Sequence, residues 1–214
     1  MYQAIIEKLK AFENKIDEIP EGRKAVLREI SEYIAMGFKS DETAQLVYIC
    51  THNSRRSHFC QVWSAVAAEY LGLTHRLECY SGGTESTAFH PNAIHALEET
   101  GFRISRTEGD NPVHTIFYSN DSAPLTCFSK KYNHPENPAQ KFMAVMVCDE
   151  ADEACPLISG AAKRLSLPYK DPKTGDGKPE EDEVYQNRSL EIGCDMYYAV
   201  KIAKQLITKH QNAQ

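Results

Sequence analysis

Apolar residues in the first forty positions recur at intervals of three and four, the spacing of an amphipathic helix. The first series is Ile5, Ile6, Leu9, Phe12 and Ile16. The sequence I-P-E-G interrupts it, and a second series then continues to about Gly37. We therefore expect residues 1–44 to form an N-terminal helical extension that packs on the core of the chain.

The pattern changes after residue 45 to short apolar runs that alternate with helical periodicity. Strands are predicted at Leu46–Ile49, Leu77–Tyr80 and Phe142–Val147, and helices at Ser57–Tyr70, Pro91–Glu99 and Glu183–Lys209. This alternation is typical of an α/β fold. We predict that residues 45–214 form one α/β domain, with a parallel four-stranded sheet flanked by helices on both faces.

Residues 107–141 depart from that alternation and are predicted to be an insertion. Two apolar segments, H-T-I-F-Y-S and L-T-C-F-S, flank the turn sequence N-D-S-A-P. Such a pair with a short polar connection predicts a β-hairpin.

Composition narrows the class of protein. The chain has 214 residues, of which 25% are charged and 42% hydrophobic, and its net charge of -6 argues against nucleic-acid binding. No apolar run approaches the length of a membrane span, and the start lacks the pattern of a secretory signal. Seven cysteines without regular spacing favour a reducing cytoplasm. We assign no metal and no cofactor.

The segment between the first predicted strand and the following helix carries the candidate chemistry. It reads C-x5-R-S, from Cys50 to Arg56 and Ser57. A loop that leads into a helix can direct several backbone N–H groups at a tetrahedral oxyanion, and a guanidinium can bind two of its oxygens. A thiol in the same positive field loses its proton more readily and becomes a nucleophile.

With Asn53 inside it, this loop resembles that of the low-molecular-weight protein tyrosine phosphatase superfamily, which includes thioredoxin-coupled arsenate reductases. The resemblance covers roughly residues 45–105 and 142–209, outside the N-terminal extension and the insertion. It implies that Cys50 is the nucleophile, that Arg56 binds the oxyanion, and that Asn53 and Ser57 shape the loop and stabilise the thiolate. The remaining members of the implied oxyanion-binding loop are Thr51, His52, Ser54 and Arg55.

Members of the family place their general acid, an aspartate, immediately before a proline in a late loop. Asp171-Pro172 occupies such a loop here, so the resemblance implies that Asp171 protonates the leaving group. From the residues alone, a surface Asp-Pro turn remains the more common interpretation.

Cys148 and Cys155 distinguish a thiol-dependent reduction from a simple hydrolysis. If D-E-A-D-E-A between them is helical, the two cysteines lie about 10 Å apart along its axis. A disulfide needs Cα atoms within roughly 7 Å, so the segment would have to unwind. A buried strand cysteine beside an unrelated thiol is an alternative, whereas a zinc site lacks further ligands at suitable spacing.

The run V-C-D-E-A-D-E-A-C-P is similar to the redox segment of the thioredoxin-coupled arsenate reductases. The resemblance implies a relay in which Cys50 attacks arsenate, Cys148 attacks Cys50, and Cys155 displaces Cys50. Thioredoxin would then reduce the resulting disulfide. The acidic residues between the cysteines call for a positive partner, which the sequence does not identify.

Some residues depart from the family pattern. His52 stands where glycine is usual, and Arg55 where a second cysteine is common. After Asp171-Pro172 the chain carries Lys173-Thr174-Gly175 in place of aromatic residues. These differences favour arsenate reduction over the first alternative, a phosphatase for phosphotyrosine or other phosphomonoesters. A further alternative is a non-catalytic module that binds an oxyanion or a partner, which the intact Cys50 and Arg56 disfavour.

Overall fold

The computed structural model describes residues 1–212. The chain begins with α1 (Gln3–Lys15), a 3₁₀ turn (Ile16–Glu18) and α2 (Glu21–Lys39). The later elements are β1 (Ala44–Cys50), α3 (Arg56–Leu71), β2 (Leu77–Gly83), α4 (Pro91–Thr100), β3 (Arg103–Arg106), β4 (His114–Phe117), β5 (Leu125–Cys127), β6 (Phe142–Met146), α5 (Asp149–Ala154), β7 (Ala161–Ser166), a second 3₁₀ turn (Pro172–Gly175) and α6 (Glu181–Gln211).

Four strands form the main sheet in the order β2-β1-β6-β7, and every neighbouring pair is parallel. The predicted α/β fold with a four-stranded parallel sheet is thus confirmed. Because β1 and β6 are neighbours, their carboxyl ends bring Cys50 and Cys148 to the same edge of the sheet. That edge is where α/β sheets commonly bind ligands.

The fourth strand, β7, has no counterpart in the strands read from the sequence. Its sequence is A-A-K-R-L-S, and only Leu165 among these residues is buried. It lies at the edge of the sheet, so its side chains do not show the apolar run that marks the central strands.

The hairpin of the insertion belongs to a larger sheet. β4 and β5 pair antiparallel, as the hairpin prediction requires. β3, which precedes residue 107, pairs with the other side of β4 and completes a three-stranded sheet. An isolated bridge from Lys131 to Gly83 joins the end of the insertion to β2.

The N-terminal helices pack against α6 and α3. Ser31 Oγ donates to the Ala199 carbonyl at 2.8 Å, and the ring of Phe12 meets that of Trp63 edge to face at 5.1 Å. Gly193 permits this approach, because a Cβ there would lie 2.7 Å from the Phe12 ring. The division of the chain into an extension and a domain stays a prediction. No helix within residues 1–212 is both long and apolar enough to cross a membrane.

Candidate active site

The loop between β1 and α3 is fixed through its carbonyl groups. The Cys50 carbonyl accepts from Thr84 N at 3.1 Å, and the Thr51 carbonyl accepts from Glu85 N at 2.8 Å. The next partners come from the insertion and from the start of α4. Ser129 Oγ donates to the His52 carbonyl at 2.8 Å, and His90 N donates to the Ser54 carbonyl at 2.9 Å.

These outward bonds determine where the loop amides point. In a trans peptide unit the N–H and C=O groups point in opposite directions. Each carbonyl bonded to the surrounding protein therefore turns the next residue's N–H group away from that protein. Several such N–H groups ahead of the first turn of α3 form the kind of positive concavity that binds oxyanions.

Cys50 lies at the start of this loop, buried and in contact with a polar network. Its Sγ is 3.1 Å from Ser57 Oγ, and Asn53 Nδ2 donates to the same hydroxyl at 2.9 Å. The Asn53 carboxamide oxygen accepts from Lys130 N at 2.9 Å. Asn53 has a φ of 45°, in the left-handed region that asparagine tolerates better than most residues. Because Asn53 orients the Ser57 hydroxyl, that hydroxyl is free to donate to a Cys50 thiolate.

Gly83 belongs to the site but was not among the residues predicted from the sequence. A Cβ at this position would lie 2.1 Å from the Glu85 carbonyl oxygen, 2.7 Å from that of Thr51 and 2.8 Å from Asn53 N. Only glycine allows the end of β2 to approach the loop this closely. The signal in the sequence is the Gly82-Gly83 pair at a strand end, which reads there as an ordinary turn.

Arg56 is buried and contacts the candidate acid. Its Nη2 lies 2.6 Å from Asp171 Oδ2, and its Nη1 donates to the Tyr169 carbonyl at 3.0 Å. Asp171 caps the 3₁₀ turn that follows it by accepting from Lys173 N at 3.0 Å. The structure thus brings the oxyanion loop and the Asp-Pro loop together, although they are 115 residues apart in the chain.

The side chains of the two unexpected loop residues point elsewhere. Arg55 Nε donates to Tyr185 Oη at 2.7 Å, and Nη2 lies 3.3 Å from Asp176 Oδ2, so this side chain joins the loop to α6 and to the Asp171 loop. The His52 side chain is 51% exposed, and its Nε2 lies 3.5 Å from Glu85 Oε2.

Cys148 lies beside the loop, at the amino end of α5. Thr51 Oγ1 is 3.5 Å from its sulfur, and Ala151 N donates to that sulfur at 3.4 Å. Burial raises the pKa of the Cys148 thiol, whereas the hydrogen bonds from Thr51 and Ala151 and the charge of Arg56 act in the opposite direction. The positive partner missing from the sequence analysis is therefore Arg56, together with the first turn of α5.

Cys155 ends the same helix and is half-buried. Arg164, on β7, donates from Nε to the Cys155 carbonyl at 3.1 Å and from Nη2 to the Asp152 carbonyl at 2.6 Å. Cys148 and Cys155 are both free thiols at opposite ends of an intact helix, as the sequence spacing suggested. A disulfide between them requires α5 to unwind.

Comparison with known proteins identifies sequences that are similar to this chain. The chain is 27% identical over 147 residues to an arsenate reductase of Bacillus subtilis. The alignment covers 69% of this chain and 87% of that relative. The chain is 29% identical over 150 residues to an arsenate reductase of Shouchella clausii, or 70% of this chain and 89% of the relative. No family model matches the chain.

A solved low-molecular-weight phosphotyrosine phosphatase from Vibrio cholerae aligns with 79% of this chain and 98% of its own, at 14% identity and a TM-score of 0.47. Fold and site together define an α/β protein with a cysteine, an arginine and a carboxylate around the loop that follows β1. In sequence, the chain is similar to arsenate reductases over about 70% of its length.

Proposed function

We propose that the protein reduces arsenate to arsenite through a relay of Cys50, Cys148 and Cys155. The observation that carries this proposal is the position of Cys148, whose sulfur contacts Thr51, the residue that follows the nucleophile. Hydrolysis of a phosphoester through a phosphocysteine intermediate does not require a second thiol. The curated relatives named above are arsenate reductases, which supports the same choice.

In the first step the Cys50 thiolate attacks arsenic, and one oxygen leaves as water. The loop amides and Arg56 bind the remaining oxygens, and Asp171 supplies a proton to the departing oxygen. The contact between Arg56 and Asp171 supports this pairing of roles, because it places both groups at one end of the loop. The product is a covalent adduct in which arsenic is still pentavalent.

In the second step the Cys148 thiolate attacks the Cys50 sulfur. A Cys50–Cys148 disulfide forms, and the electron pair of the sulfur–arsenic bond passes to arsenic, which leaves as trivalent arsenite. The Cys155 thiolate then attacks the Cys148 sulfur, so that Cys50 is released as a thiolate and a Cys148–Cys155 disulfide forms. We propose that thioredoxin, itself oxidised in the exchange, reduces this disulfide in the cytoplasm.

The relay is tested with purified protein, arsenate, thioredoxin, thioredoxin reductase and NADPH. We expect wild type to oxidise NADPH, and Cys50→Ser and Cys148→Ser to release no arsenite. Cys155→Ser should release about one arsenite per protein and stop with Cys50 and Cys148 joined, which mass spectrometry of the alkylated peptides would show. Cys194→Ser is the matched control, since Cys194 is a half-buried thiol of α6 that lies outside the site.

NADPH oxidation that survives both Cys148→Ser and Cys155→Ser would contradict the relay. Phosphomonoester hydrolysis is the second candidate, because the arrangement of Cys50, Arg56 and Asp171 is sufficient for it. Turnover of p-nitrophenyl phosphate that is unchanged by the same two substitutions, without arsenate reduction by wild type, would establish the hydrolase instead.

A further inference from the structure

Arg23, in the N-terminal helix α2, is connected by hydrogen bonds to the residues proposed to bind the oxyanion. We infer that Arg23 is a positioning residue for Arg56 and Asp171 and that it acts through Tyr169. The inference rests on the proposed function and assigns a purpose to helices outside the region that resembles the family.

The first connection runs from α2 to the segment that follows β7. Arg23 Nη1 donates to the Pro168 carbonyl at 3.0 Å, and its guanidinium carbon lies 4.2 Å from the centre of the Tyr169 ring. Its Nε donates to Asp195 Oδ2, on α6, at 2.9 Å. The same carboxylate oxygen accepts from Tyr169 Oη at 2.8 Å. Arg23 therefore contacts the ring of Tyr169, the residue before it and the acceptor of its hydroxyl.

The second connection leads from Tyr169 to the site. The Tyr169 carbonyl accepts from Arg56 Nη1 at 3.0 Å, while Arg56 Nη2 contacts Asp171, two residues further along. Tyr169 thus presents its side chain to Arg23 and its backbone to Arg56. A shift of the segment from Pro168 to Asp171 would move one hydrogen-bond acceptor of Arg56 and the proposed acid together.

The main sheet supports only one side of this segment. Leu167 N donates to the Met146 carbonyl at 2.8 Å, and Tyr169 N donates to the Val147 carbonyl at 3.2 Å, both at the end of β6. β7 is an edge strand, so no further strand of that sheet continues beyond it. The other side is contacted by Arg23, whose guanidinium forms a rigid fork that a flexible side chain cannot replace.

A purely structural role for Arg23 is the competing explanation, because Asp195 is buried and a buried carboxylate without its partner destabilises a fold. The two roles separate in variants. Arg23→Gln removes the guanidinium fork and also leaves the buried Asp195 carboxylate without its cation. When it is combined with Asp195→Asn, the unpaired charge is removed as well, and only the loss of the fork remains. Arg23→Lys keeps a cation beside Asp195 without the fork. Arg28→Gln is the matched control, since Arg28 lies on the same helix and is paired with the exposed Glu21.

The experiment measures how well phosphate protects Cys50 from iodoacetamide, with alkylation of the Cys50 peptide followed by mass spectrometry and the melting temperature recorded in parallel. This readout needs no turnover. We expect Arg23→Gln to weaken phosphate protection about 10- to 100-fold, as misplacement of a binding group by about 1 Å can do. The double variant should regain melting temperature but not phosphate affinity, Arg23→Lys should be intermediate, and Arg28→Gln should match wild type.

Phosphate affinity that returns together with the melting temperature in the double variant would overturn the inference, as would unchanged protection in Arg23→Gln. Wild-type protein that phosphate does not protect would instead overturn the proposed function, and the inference with it. Arsenate turnover is measured on the same variants. A positioning role predicts that the kcat/KM of Arg23→Gln falls by a similar factor at a temperature where the variant is folded.

Discussion

The candidate oxyanion loop and the proposed redox segment lie at the ends of neighbouring strands but are built in opposite ways. The loop from Cys50 to Ser57 is bonded to the segment after β2, to the insertion and to the start of α4, and it continues into the 16-residue helix α3. The redox segment is the six-residue helix α5, in which only Ala151 is buried. Three of its residues are acidic within the first turn.

This difference matches the two tasks proposed for them. Donors that stabilise a developing oxyanion are effective when they are fixed before the reaction, so a loop bonded on several sides suits the first step. Thiol exchange between Cys148 and Cys155 instead requires a segment that can change conformation. A helix of six residues is far too short to be stable by itself, so its few tertiary contacts decide how readily it opens.

The largest effect on arsenate kcat/KM should follow from a substitution that disturbs the loop from Cys50 to Ser57. Gly83→Ala would place a methyl group within 2.8 Å of three loop or turn backbone atoms, and backbone cannot move aside as a side chain can. We expect the substitution to displace Thr51 and Asn53 and to reduce arsenate kcat/KM about 100-fold. Phosphate protection of Cys50 against alkylation should weaken as well.

Gly22→Ala is the control for that substitution, because nothing lies within 4 Å of a Cβ at this position of α2. Alanine is also the better helix former, so this variant should melt at the same temperature or slightly higher. Gly83→Ala protein that binds phosphate as wild type does would show that the loop tolerates movement.

The pH dependence of arsenite release tests the proposed attack of Cys148 on Cys50, which is the step that connects the two regions. Because burial raises the pKa of Cys148, this group is mostly a thiol at neutral pH, and its thiolate fraction increases with pH up to and beyond the ordinary value of about 8.5. The release of arsenite by Cys155→Ser in a single turnover should therefore accelerate about tenfold per pH unit through the neutral range.

Rapid-quench measurements from about pH 6 to about pH 8 would record that rate. A rate that is level across this range would mean that Cys148 is already ionised, or that the step before it is limiting. A fluorescence or mass-spectrometric record of adduct formation on the same samples separates these two results.

Arg164 should influence the equilibrium between helical α5 and the proposed disulfide form. Its bonds to the Asp152 and Cys155 carbonyls keep α5 helical, so Arg164→Gln should favour the unwound disulfide form. We expect the Cys148–Cys155 equilibrium in a thiol redox buffer to shift about tenfold towards the disulfide, from the loss of charge-assisted hydrogen bonds. The measurement is made in a Cys50→Ser background to exclude pairing with Cys50.

Lys163→Gln is the matched control for Arg164→Gln, because Lys163 is the neighbouring residue of β7 and pairs with Glu29 of α2. An equal shift in both variants would mean that β7 as a whole, and not Arg164, determines the stability of α5. No shift in either would mean that α5 opens without resistance from these contacts.

The same contrast explains what could be predicted from the sequence. The strand, loop and helix around Cys50 follow each other directly, and their apolar periods mark them clearly. Gly83, Tyr169 and Arg164 come from elsewhere in the chain, and their roles depend on which strands become neighbours. The edge strand β7 has one buried residue and hence no clear apolar pattern, so the partner of α5 could not be found before the fold was known.

The smallest effect is expected at His52, although it departs from the family pattern at the centre of the loop. The loop uses the His52 carbonyl, which accepts from Ser129 Oγ at 2.8 Å, while the imidazole is largely exposed to solvent. His52→Ala should therefore change phosphate protection of Cys50 by no more than about twofold, as substitutions at exposed positions usually do. Ser129→Ala removes the shorter of the two bonds to this carbonyl, the other coming from Thr87 Oγ1 at 3.4 Å, and should have the larger effect in the same assay. If the order is reversed, the imidazole itself takes part in binding the oxyanion, and the rigidity of the loop is not sufficient to explain its affinity.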